Sequence, residues 1–119
     1  MHHFEELNVW QKAMDLAEAV YGIANNLPES ERYGLRVQMK RSAISIPSNI
    51  AEGAGRNSRK EFRHFLSVCQ GSSYELQSQL LLSKRLSFLE QLEADELLAK
   101  LSEIQKMNRA LQRSLFQAN

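Results

Sequence analysis

One cysteine, three histidines and 14 side-chain carboxylates are the residues of this 119-residue chain that could carry a reaction or hold a metal. Their spacing supports neither role. Cys69 would need a base one helical turn away to become a reactive thiolate, and no histidine stands at i±3 or i±4. It falls on an apolar stripe among small residues, where a structural thiol is expected. His64 reads as a surface histidine. His2 and His3 sit at the terminus, whether native or left from a tag, and no metal role is expected of them. Glu90, Glu93, Glu96 and Glu103 lack the Glu-x-x-His spacing of di-iron bundles. No base is placed beside any serine. Gly53-Ala54-Gly55 reads as a helix end rather than a phosphate loop, since no strand precedes it. The chain reads as a non-enzyme, with no cofactor and no metal.

Binding chemistry is better supported. The net charge is only +1, but residues 36–63 hold Arg36, Lys40, Arg41, Arg56, Arg59, Lys60 and Arg63 against Glu52 and Glu61, a balance of +5. Residues 1–35 balance at −4, and residues 64–119 at zero. Such a patch suits phosphates or an acidic partner. The plainer reading is a solvated helix end whose cations pair with neighbouring carboxylates. Trp10, Tyr21, Phe62 and Phe65 fall on apolar stripes, so they read as core or interface residues before they read as base-stacking platforms.

These residues are positioned by helices. Strong helix formers dominate, and only two prolines are present. Four helices are expected, at about 9–26, 32–54, 59–85 and 92–116, in one domain spanning 1–119. Asn8 and Ser58 are the expected N-caps of the first and third, with Gln11 and Glu61 as capping-box partners. The first helix shows a stripe of Trp10, Ala13, Met14, Ala17, Val20, Tyr21 and Ala24. Gly53, Gly55 and Asn57 mark the end of the second. The fourth carries Leu97, Leu101, Ile104, Asn108, Leu111 and Leu115 at alternating steps of four and three, the spacing of near-parallel packing. Short connections then force an all-α, antiparallel, up-down-up-down four-helix bundle.

The second helix is unusual. Met39, Ala43, Ile46, Ile50 and Ala54 keep one apolar face in phase across Pro47, so the helix is expected to continue through it with a kink. Ser42, Ser45, Asn49 and Glu52 run beside that face. Asn49 is expected to bond near the start of the third or first helix, and Glu52 to pair with a cation or cap a helix. If helices two and three turn at 56–58, residues whose numbers sum to about 114 lie level. That register sets Ser42 against Ser72 and Ser45 against Cys69, and it brings Arg41 near Glu75. On the first helix Val9, Leu16 and Ile23 repeat every seven residues off the main stripe, and are expected to form an oligomer interface. A wide core-facing side is the alternative. No apolar run approaches the ~20 residues of a membrane span. The start, MHHFEELN, shows no apolar signal region, so a cytoplasmic location is expected.

These residues together resemble the bacterial family of small four-helix bundle proteins associated with intervening sequences in 23S ribosomal RNA genes. The resemblance is carried by Phe4 with Leu7-Asn8-Val9-Trp10-Gln11-Lys12-Ala13, by Leu27-Pro28 and Glu31-Arg32-Tyr33-Gly34-Leu35, and most by Gln38, Arg41 and Ser45-Ile46-Pro47-Ser48-Asn49-Ile50-Ala51-Glu52-Gly53. Ser58, Glu61-Phe62, Phe65-Leu66, Gly71-Ser72 and Glu75-Leu76 extend it. It implies the bundle fold and a ring of five subunits. It also implies kinship with accessory proteins of diversity-generating retroelements, which bind nucleic acid and a reverse transcriptase through basic surfaces. It implies no settled activity. Two functions are therefore expected in competition. One is an oligomer that binds RNA or DNA through Arg56, Arg59, Lys60 and Arg63, with Lys40 a further contact. The other is a protein-interaction scaffold with no direct nucleic-acid role.

Overall fold

Four helices account for almost all of the described residues: α1 (Asn8–Ala24), α2 (Leu35–Ala54), α3 (Arg59–Arg85) and α4 (Gln91–Gln117). The computed structural model describes residues 3–117, and His2 falls outside them. Single 3₁₀ turns at Phe4–Glu6 and Glu29–Glu31 precede α1 and α2. Successive helices run antiparallel in a rod of 49 × 23 × 20 Å.

The helix ends follow local chemistry. Ser58 Oγ accepts the Glu61 amide at 3.1 Å, as its spacing predicts. At α2 the expected start near 32 moves to Leu35, because Glu31 Oε1 accepts the Leu35 amide at 3.1 Å and acts as the cap. The expected box at α1 does not form. Asn8 is the first helical residue, and Gln11 Nε2 instead donates to Glu5 O at 2.8 Å. This bond, with the Phe4 ring edge-on to Trp10 at 5.2 Å, folds the leading segment against α1. α3 closes in a Schellman arrangement, with Phe88 N donating to Ser83 O (2.9 Å) and Ser87 N to Lys84 O (3.1 Å). The arrangement needs a left-handed residue, and Ser87 supplies it at φ 59°.

α2 runs unbroken through Pro47, whose ring is buried. Gly53 is buried inside that helix and packs there, where the sequence suggests only a breaker. A Cβ on it would come within 2.8 Å of Phe65 Cβ and 3.2 Å of Phe62 O, so the glycine lets α2 and α3 touch. Nearby, Ser45 and Ser72 hydroxyls meet at 2.7 Å, and Asn49 Nδ2 donates to Ser45 O (2.8 Å) and Ser45 Oγ (2.9 Å). Asn49 thus bonds within its own helix rather than reaching the start of α1 or α3. The Ser45–Ser72 contact sets the level sum near 117, just under one turn from the expected 114. At this register Arg41 and Glu75 both stay exposed and form no ion pair with each other.

The phase of α1 differs from the sequence reading. Val9, Leu16 and Ile23 are buried inside the single chain, at 4%, 1% and 7% exposure, and are core rather than oligomer interface. α1 packs against α2 on one side and α4 on the other, so its buried arc is wide and centres on this heptad stripe. Met14 and Tyr21 turn outward instead, and Trp10 is half-buried.

A polar seam joins α3 to α4 inside the bundle. Asn108, fully buried, donates to Leu66 O at 3.0 Å and accepts from Gln112 Nε2 at 2.8 Å. Gln105 Nε2 donates to Ser73 Oγ (3.2 Å) and Gln77 Oε1 (3.0 Å). Cys69 lies fully buried beside this seam.

Candidate nucleic-acid interface

The antiparallel pairing of α3 and α4 sets the first turns of α3 beside the last turns of α4. A groove of about 490 Å³ opens there, lined by Lys60, Arg63, His64 and Ser67 from α3 and by Gln112, Arg113 and Phe116 from α4. Among the described residues no carboxylate lines it. The helix periods explain the grouping. Lys60, His64 and Ser67 share one side of α3, and Gln112 with Phe116 one side of α4.

Arg63 anchors the floor. Its Nη1 donates to Leu115 O at 3.4 Å, a cation on the last carbonyls of a helix, where the backbone dipole favours positive charge. Its guanidinium also lies over the Phe116 ring, 4.7 Å from the centroid. Phe116 is nonetheless 72% exposed. Among the described residues Lys60 and Arg113 make no ion pair within 4 Å.

The structure sorts the five cations expected at the interface. Lys60 and Arg63 line the groove. Arg59 sits on the first turn of α3 beside them, exposed. Arg56 lies at the α2–α3 turn, over the Phe65 ring at 4.8 Å and paired with Glu52 at 3.3 Å. That pair meets the cation-partner expectation for Glu52 and sets a carboxylate beside Arg56. Lys40 is not part of the group: it lies over the Tyr21 ring at 5.3 Å, near Asn25, on the α1–α2 side. His64, Arg113 and Phe116 escape the sequence reading. The signal that finds them is the same level arithmetic, applied to the α3–α4 turn at 86–90. Arg63 bonds Leu115 and Lys84 bonds Asp95 at 2.6 Å, both close to a sum of 178, which brings Arg113 and Phe116 to the start of α3.

Glu61 stands three residues before His64, a possible ligand spacing, yet among the described residues no three His, Cys, Asp or Glu side chains converge as a metal site. Burial pushes the Cys69 thiol up to about 12, outweighing a hydrogen bond with Asn108 that lowers it, so the thiol stays protonated. Among the described residues no helix is long and apolar enough to cross a membrane.

The fold and this groove define a small all-α bundle protein with a basic cleft at one end. The chain belongs to the family of 23S rRNA-intervening sequence proteins, whose model matches residues 5–110. A solved structure of similar fold is described as a protein with unknown function from the S23 ribosomal protein family of Bacteroides thetaiotaomicron VPI-5482. It aligns with a TM-score of 0.82 at 23% identity, covering 87% of this chain and 97% of that one. At that identity the likeness is one of fold. No curated protein matches the chain.

Proposed function

We propose that this chain is a non-catalytic, self-associating protein that binds nucleic acid through the α3–α4 groove. The observation that carries the reading is the convergence of Lys60, Arg63, His64 and Arg113 on one groove that no carboxylate among the described residues lines. Uncompensated cations at one end of a rod attract phosphates over the screening length of the solution. The neutral, buried state of Cys69 supports a binding role over a reactive one.

Self-association is supported by a different surface from the one the sequence suggests. Met14 and Tyr21 on α1 and Ile44 on α2 stand 44%, 42% and 49% exposed. Exposed apolar side chains of this size on adjacent helices suit a contact between subunits. The family resemblance sets the expected number at five. A ring would repeat the groove and strengthen its field.

The test is fluorescence-anisotropy titration of labelled RNA and DNA at several salt concentrations, with sedimentation equilibrium alongside. Binding should weaken linearly in log–log terms as salt rises, with a slope of about −0.7 to −0.9 per phosphate contacted. Lys60→Glu and Arg113→Glu, both exposed and remote from the core, should each weaken binding at least tenfold and make that slope shallower. Wild-type protein that binds neither polymer at low salt, or charge-reversed variants that bind as wild type does, would overturn the groove reading. A monomer mass at micromolar concentration would overturn self-association.

A further inference from the structure

The groove carries more than charge. At its mouth Phe116 is 72% exposed, and His64 is an exposed ring beside it on the facing helix. Further along the same α3–α4 seam Tyr74 is 49% exposed, and its hydroxyl accepts from Arg109 Nη1 at 3.5 Å. Cations and rings therefore alternate along one line: Lys60 and Phe116, Arg63 and His64, then Arg109 and Tyr74. The plain explanation for an exposed ring is the tail of an apolar stripe. Phe116 does not fit it, because Leu115, its neighbour, is the residue that closes the core, at 7% exposure.

We propose that the groove accepts an unpaired nucleic-acid strand, with a base stacked on Phe116 and the flanking phosphates held by Lys60 and Arg113. The inference rests on the nucleic-acid reading above and narrows it. A duplex keeps its base faces inside its own stack, so a duplex gains nothing from an exposed ring and sees only the cations. An unpaired strand presents both a phosphate and a ring face at every nucleotide, which is the pattern of this groove. The groove is open and shallow and follows the line where α3 and α4 meet. A single strand can lie along such a surface with its bases free to turn toward the exposed rings. Arg63 lies over the Phe116 ring, 4.7 Å from its centroid, and the ring is still 72% exposed, which leaves room for a base. The groove has few free polar groups to read base edges, since Gln112 already donates to Asn108. Binding is thus expected to be tolerant of sequence.

The experiment uses the full chain and a labelled 12-nucleotide mixed-sequence strand, alone and annealed to its complement, in RNA and DNA forms. The single strand should bind at least tenfold tighter than the duplex at equal salt. Phe116→Ala should weaken the single strand about 5- to 100-fold, the size of one lost base–aromatic stack, and leave duplex affinity and salt slope unchanged. Phe116→Tyr should retain single-strand affinity, which separates stacking from any loss of fold. A 2-aminopurine placed in the strand should be quenched by the wild type and not by Phe116→Ala. If duplex and single strand bind equally, or Phe116→Ala weakens neither or both alike, this inference falls while the nucleic-acid reading stands. If neither form binds, both fall.

Discussion

Replacing Gly53 by alanine tests the closest approach in the bundle. The added Cβ would stand 2.8 Å from Phe65 Cβ, 2.9 Å from Phe62 Cδ1 and 3.2 Å from Phe62 O. Carbon atoms prefer about 3.5–4.0 Å, so the overlap with Phe65 Cβ is roughly 0.7 Å or more. A β-carbon and a main-chain carbonyl cannot rotate aside, so α2 and α3 must separate locally. Overpacking of this kind costs about 1–3 kcal/mol, and the immobility of the partners places it near 3. Alanine regains about 1 kcal/mol of helix preference. The net loss is then about 2 kcal/mol, or roughly 8 °C in Tm at about 4 °C per kcal/mol for a domain of this size. Gly22 and Gly71 provide the control, since a Cβ on either meets nothing within 4 Å. Gly22→Ala and Gly71→Ala should hold or raise stability, by up to about 1 kcal/mol each, and so hold or raise Tm. Thermal unfolding followed by far-UV circular dichroism, at one protein concentration, separates the three. A Gly53→Ala protein that melts with the two controls would refute the close-approach argument.

Three further outcomes are expected. Asn108→Ala removes the bond to Leu66 O and the bond from Gln112 and leaves a void, and should cost about 2 kcal/mol in denaturant unfolding. Ser87→Gly relieves a left-handed serine at the end of α3 and should raise stability by about 0.5–1 kcal/mol; a fall would mean that the Schellman closure does not form. Cys69 is held protonated in the fold, from an ordinary 9.0 to about 12, so folding binds that proton more tightly than the unfolded chain does. Its contribution is therefore intact below about pH 9 and is lost as pH rises from 9 toward 12. At pH 8 a thiol reagent should react only as fast as the chain opens, and mild denaturant should accelerate it; instant labelling of the native protein would contradict the burial.

The helices were legible because their signals are local. Ser58 with Glu61, the in-phase apolar residues on both sides of Pro47, and the four-three spacing of α4 each lie within a few turns of chain. Facing relations were harder to read. The α1 phase depends on packing against two helices, so Val9, Leu16 and Ile23 read as surplus when they are the centre of a wide buried arc. The bulk of Trp10, Met14 and Tyr21 drew the stripe toward their side of the helix. The α2–α3 register differs by three because turn length alone does not set it; the Ser45–Ser72 contact and the packing of Phe62 and Phe65 against Gly53 do. The α3 half of the groove was visible as a run of cations, Arg59, Lys60 and Arg63. Its α4 half was not, because Arg113 and Phe116 become neighbours of that run only through a turn some 30 residues away.

The polar seam between α3 and α4 has a consequence for how the chain finds its fold. The α4 stripe of Leu97, Leu101, Ile104, Asn108, Leu111 and Leu115 nearly repeats itself every seven residues. Oily contacts alone would almost forgive α4 for sliding by one heptad, about 10 Å along its neighbour. The amides do not forgive it. After such a slide Asn108 would lose its bond to Leu66 O and Gln105 its bonds to Ser73 and Gln77, and a buried amide without its partner is costly. Asn108 and Gln105 therefore act as a key cut for one position of the lock, and the same alignment delivers Arg113 and Phe116 opposite Lys60. The groove at the far end of the rod is a by-product of a ratchet set in its middle.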